Sequence, residues 1–107
     1  MTKNKGGRIL KLVERITEKI NSLGYATPGD ACDIVEMLDK LEDYLVGYKA
    51  YSTKFKEDIR YLRYLAWSIA AAGADRQHYY EKRAIEDIDI LTNKLDIWIS
   101  KQLEVKE

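Results

Sequence analysis

In 107 residues the chain has one cysteine, Cys32, one histidine, His78, one proline, Pro28, and one phenylalanine, Phe55. Each scarcity excludes something. A single cysteine forms no internal disulfide, and beside a single histidine it cannot complete a Cys/His zinc site within one chain. Cys32 and His78 are also the only thiol–imidazole pair available for nucleophilic catalysis. Cys32 falls near the start of an expected helix, where the dipole favours a thiolate, but no spacing brings His78 to it. The two read as a small apolar thiol and a solvent-facing helical residue. A di-iron bundle needs two Glu-x-x-His pairs, whereas here the order is reversed as His78-Tyr-Tyr-Glu81. Gly6-Gly7 precedes a helix with no strand before it, so it is not a phosphate loop. Asp87 with Asp89, or Asp39 with Glu42 and Asp43, are ordinary surface spacings. The expectation is a non-catalytic protein, without metal, cofactor or small-molecule substrate.

Long hydrophobic runs are missing too. No stretch approaches the roughly 18–20 uncharged apolar residues that a membrane span requires. The basic start, Met1 to Arg8, is followed by apolar residues broken by Lys11, Glu14 and Arg15, unlike the continuous core of a secretion signal. Cytoplasm is the expected compartment, with no membrane partner. Neither sign of charge is in excess, with 18 basic and 18 acidic residues. Nucleic-acid binding through bulk charge is therefore disfavoured, and only a local patch would serve.

What is present is periodicity. Four segments carry apolar residues at alternating steps of four and three. They are Ile9, Val13, Ile16, Ile20, Leu23; Ile34, Leu38, Leu41, Leu45, Tyr48; Phe55, Ile59, Leu62, Ala66, Ile69; and Ala84, Ile88, Leu91, Leu95, Trp98. That spacing places five side chains on one stripe of a helix. The segments 1–19, 20–48, 49–83 and 84–107 carry net charges of +4, −5, +4 and −3. The pattern predicts an all-α fold, a small antiparallel bundle of about four helices, built as a single domain over 8–104. Residues 1–7 are expected to form a flexible N-terminal segment. At this length roughly 65% of the unfolded chain's surface is buried on folding.

The first helix is expected over 8–23, ended by a left-handed cap at Gly24. Thr27-Pro28-Gly29-Asp30 marks the next start: Thr27 caps, Pro28 suits the first helical position, and Asp30 complements the helix dipole. That helix runs to 48–50, the third over 53–72 and the fourth over 75–103. Two alternatives remain, in which the second and third helices merge or Gly73 sits inside a continuous helix. The core should contain Ile16, Ile20, Leu38, Leu41, Leu45, Ile59, Leu62, Ile69, Ile88, Leu91 and Leu95. Opposite charges are expected to flank the seams, with Lys11, Arg15 and Lys19 beside Asp33, Glu36, Asp39, Glu42 and Asp43.

On the third helix Arg60, Arg63, Tyr64, Trp67 and Ala71 collect opposite the core stripe, where a simple bundle is polar. Three roles suit such a face: a second contact inside the bundle, a docking site for a protein, or a stacking surface for unpaired bases. On the fourth helix Tyr79, Ile90 and Ile97 form a second apolar line, and Arg76 and Arg83 flank Tyr79 and Tyr80. If the chain turns at Gly73, this basic–aromatic cluster comes close to Trp67. The leading expectation is a non-catalytic protein–protein interaction module, an accessory or regulatory protein that binds a protein partner or itself as a homo-oligomer. Its partner-binding residues would be Arg60, Arg63, Tyr64, Trp67, Arg76, Tyr79, Arg83, Ile90 and Ile97. The alternative is sequence-tolerant binding of nucleic acid by the same basic–aromatic face.

Overall fold

The computed structural model describes residues 3–24, 26–46, 55–72 and 74–105. They form four helices, α1 (Lys3–Asn21), α2 (Pro28–Leu45), α3 (Lys56–Ala71) and α4 (Ala74–Val105), with no strand among the described residues. Each helix packs against the next, and α4 closes back on α1. The ring of neighbours is therefore α1–α2–α3–α4, with α1 and α3, and α2 and α4, at diagonal corners. Bridging side chains set the direction of each pair. Asp58 meets Lys94 and Tyr61 meets Arg83, so α3 and α4 run antiparallel. One groove between α1 and α4 joins Ile20 to His78 and Ile85, and another joins Leu10 to Asp96, which makes that pair antiparallel as well. The bundle measures 50 × 23 × 19 Å. Its long axis matches the 32 residues of α4 at about 1.5 Å each.

The eleven residues expected in the core are all buried. Leu12, Leu65, Ala31 and Ile99 join them, because a helix with two neighbours buries a stripe wider than one seam. At one end Phe55 meets Trp98 edge-on, with ring centroids 5.5 Å apart. The start of α2 is built as its residues dictate. Thr27 is the N-cap, its hydroxyl accepts from the Asp30 backbone N–H at 3.3 Å, and Asp30 Oδ2 accepts from the Thr27 N–H at 2.9 Å. Pro28 occupies the first turn, where its missing N–H leaves no bond unmade. Gln77 of α4 ties the α1–α2 connection down, accepting from the Ala26 N–H and donating to the Gly24 carbonyl.

Three expectations change. Helix α1 begins at Lys3 rather than residue 8, so residues 3–7 are helical and Gly6 is buried. Helix α1 lies antiparallel to α4, which itself runs on to Val105. Gly24 has no left-handed backbone; instead α1 stops at Asn21, and the Ser22 hydroxyl donates to the Lys19 carbonyl at 3.1 Å. The charge pairing also differs. Of the three α1 cations only Lys19 reaches α2 acids, Asp30 at 3.1 Å and Asp33 at 3.6 Å. Asp39 and Glu42 turn to Arg63 of α3 instead. Helices α2 and α3 are separate, as are α3 and α4. Tyr48 and Gly73, and with them the expected boundaries at 48–50 and 53, lie outside the described residues.

Candidate interaction face on α3 and α4

Helix α3 buries Ile59, Leu62, Leu65, Ala66 and Ile69. At about 100° per residue, Arg60, Tyr64, Trp67 and Ala71 must then point away from the core. The structure places them there: Tyr64 is 58% exposed and Trp67 47%, and Arg60 and Ala71 are exposed as well. A second core contact through Trp67 does not form among the described residues, because α3 packs against α2 and α4 and leaves Trp67 half-exposed.

The antiparallel turn from α3 into α4 brings the second basic–aromatic cluster alongside. Arg83 Nη2 donates to the Tyr61 hydroxyl at 3.2 Å, and Tyr61 stacks on Tyr64, with centroids 6.0 Å apart and planes 17° from parallel. Tyr79 lies edge-on to Tyr80 at 5.4 Å. The Tyr61 hydroxyl, and behind it Tyr79, hold the Arg83 guanidinium charge above its ordinary pKa. Tyr61, which the periodicity did not single out, is the link between the two helices. Its signal was its place one turn before Tyr64, on the flank that faces α4.

The remaining expected residues divide. Tyr79, Ile90 and Ile97 are 60%, 52% and 61% exposed along α4. Arg76 is exposed near its start. Arg63 does not join the face: its guanidinium turns to α2, 2.7 Å from Asp39 and 3.0 Å from Glu42. Those two carboxylates raise its pKa against the opposing effect of burial, the largest single influence. Arg60 lies 3.6 Å from Glu57 on its own helix.

Beneath the face, between α3 and α4, Asp58 pairs with Lys94 at 3.0 Å. The nearby Asp87 has one buried carboxylate oxygen without a hydrogen-bond partner. Burial first, then Asp58, pushes the Asp87 carboxyl above the usual range, against Lys94 and Arg83. Cys32 is exposed on α2, and His78 is exposed on α4 near Glu81, at 4.0 Å. Those helices occupy diagonal corners, so the two residues are not brought together. Among the described residues no three His, Cys, Asp or Glu side chains are grouped to hold a metal ion, and no helix is long and apolar enough to cross a membrane.

What this arrangement offers chemically is a group of half-exposed rings and guanidinium groups on α3 and the start of α4, with two exposed isoleucines further along α4. Protein-family models, curated proteins and solved structures were all compared with the chain, and none of them matches it.

Proposed function

We propose that the chain is a non-catalytic interaction module that docks a protein, a second copy of itself included, through the outward face of α3 and α4. The observation that carries this reading is the joining of Tyr64, Tyr61 and Arg83 across two helices, one turn from a Trp67 that is 47% exposed. Rings and arginines of this kind are the groups from which protein interfaces draw most of their binding energy. A bundle this small gains nothing in stability by leaving six large apolar residues, Val46, Tyr64, Trp67, Tyr79, Ile90 and Ile97, more than two-fifths exposed. Five of the six are on α3 and α4. Single exposed apolar residues are common, but several grouped on adjoining helices mark a docking surface.

Nucleic acid is the competing occupant of the same face, and two details weaken it. Arg63 is spent on Asp39 and Glu42, and Arg60 has Glu57 beside it. The cations left facing outward are few for a backbone-tracking groove.

Trp67→Ala is the direct test. Removing an aromatic anchor commonly costs about 2 kcal/mol or more of association. The same change at a half-exposed position should cost less than about 1 kcal/mol of folding stability. Light scattering on the wild type and the variant, with one melting curve each, separates the two effects. A wild type that stays monomeric at high concentration removes self-association and leaves a heterologous partner. Unchanged capture of a partner by the Trp67→Ala variant would remove the face itself.

A further inference from the structure

On the side of the bundle opposite that face, α1 and α2 form a shallow groove of about 220 Å3. It is lined by Arg8, Lys11, Leu12 and Arg15 from α1, and by Lys40 and Tyr44 from α2. Four cations meet there and no carboxylate lines the groove. Three other cations that reach across a seam have a counter-charge: Lys19 has Asp30 and Asp33, Arg63 has Asp39 and Glu42, and Lys94 has Asp58. Arg8, Lys11, Arg15 and Lys40 form no ion pair among the described residues. Glu36 and Asp43 share a helix with Lys40 but do not line the groove.

Like charges gathered on one seam cost folding energy, and an anion from outside the chain relieves that cost.

The shape of the cluster selects the anion. Arg8, Lys11 and Arg15 form a row about 10 Å long on one helix face, at 1.5 Å per residue, with Lys40 on the facing wall. Charges set out in a row suit a chain of charges better than one compact ion. Tyr44 adds a hydroxyl, and the two arginines offer forks that match phosphate oxygens. The only aliphatic residue in the groove, Leu12, is 6% exposed. The groove therefore gives an acidic protein no apolar anchor and has no exposed aliphatic side chain to enter a membrane.

We propose that the α1–α2 groove binds a linear run of phosphates, the chemistry shared by the backbone of a single-stranded nucleic acid and inorganic polyphosphate. The site is separate from the α3–α4 face and does not depend on it.

Fluorescence anisotropy with a labelled mixed-sequence oligonucleotide, with inorganic polyphosphate as competitor, tests it at low salt. Binding is expected to weaken as salt rises, with a log–log slope of about −2 to −3 for three or four neutralised phosphates. Polyphosphate that displaces the oligonucleotide fully shows that the phosphate chain suffices. Displacement only by a second oligonucleotide assigns the site to nucleic acid. Lys11→Gln with Arg15→Gln should weaken binding about tenfold or more and flatten the slope by about 1.4. The double variant should melt at the wild-type temperature or above, since it relieves repulsion, so lost binding is not lost folding. Arg60→Gln with Arg83→Gln, on the other face, should bind as the wild type does.

Four results overturn the proposal: no binding of either probe at low salt, full binding by the Lys11/Arg15 variant, loss of binding in the Arg60/Arg83 variant, or equal affinity for poly-glutamate. Preferential co-sedimentation with phosphatidylserine vesicles overturns it as well, in favour of a membrane surface.

Discussion

Helix α2 turns a charged flank to each of its neighbours, and the two flanks behave in opposite ways. Toward α3, Asp39 and Glu42 converge on one guanidinium, with Arg63 at 2.7 and 3.0 Å. Toward α1, beyond the Lys19 pair with Asp30 and Asp33 at the start of α2, Lys40 faces Arg8, Lys11 and Arg15 with no carboxylate lining the space between them. Both seams rest on the same buried row, Ile34, Leu38, Leu41 and Leu45. Burial of that row holds the helices together in either case, and charge at the rim is free to serve different ends. At the α3 seam it selects the neighbour and its register. Along the stretch of the α1 seam that holds Lys40 it works against the fold.

The largest test strikes what the two seams share. Leu41→Asp, or Leu91→Asp on α4, puts an unpaired carboxylate at a site that is 0% or 1% exposed. Either should cost more than about 4 kcal/mol and abolish cooperative melting by circular dichroism. Wild-type melting in both would mean that neither residue is core.

Next comes the seam that is matched. Arg63→Ala leaves Asp39 and Glu42 facing the rim without their cation and should cost about 1 kcal/mol, since both acids keep access to water. A double-mutant cycle with Asp39→Ala should show coupling, and strict additivity would deny the pair any role. On the unmatched side Lys40→Glu has the opposite sign. It supplies the missing counter-charge and should raise stability by a few tenths of a kcal/mol. If both substitutions destabilise equally, the contrast between the seams is lost.

The smallest effect separates two carboxylates by pH. Asp30 is held below the ordinary value, first by the Thr27 backbone N–H and then by Lys19. Its contribution is present above the ordinary carboxylate pKa and is lost as pH falls through the lowered value. Asp87 is held above the ordinary value by burial and by Asp58. Its penalty is present above that raised value and disappears as pH falls toward 3.8. Asp87→Asn should therefore raise the melting temperature slightly at pH 7 and do nothing at pH 3, with the opposite sign to Asp30→Asn, which should lower it at pH 7. A pH-independent response in both variants would contradict these assignments.

Much of this molecule is legible in the sequence because helix periodicity is a local property. The 4–3 spacing of Ile34, Leu38, Leu41 and Leu45 fixes which face of α2 is apolar whatever lies beside it. The Thr27-Pro28-Gly29-Asp30 start is equally local, since the capping bonds of Thr27 and Asp30 close within four residues. The outward positions of Tyr64 and Trp67 follow from the same geometry, opposite Leu62, Ala66 and Ile69. On those points the chain needs no partner to be read.

The tertiary structure decided the rest. Segment charges of +4 and −5 suggest that the first two helices attract along their length, yet net charge does not say at what angle each charge leaves its helix. Only the ring α1–α2–α3–α4 sends Asp39 and Glu42 to Arg63, leaving Lys40 with Arg8, Lys11 and Arg15. The meeting of Tyr61 with Arg83, 22 positions apart, also awaited the antiparallel return of α4. The first turns of α1, with Gly6 and Gly7, have little helical preference of their own, yet they are helical in the bundle and Gly6 is buried there. A local pattern determines what a helix must bury, and it is the choice of neighbours that determines what its remaining side chains meet.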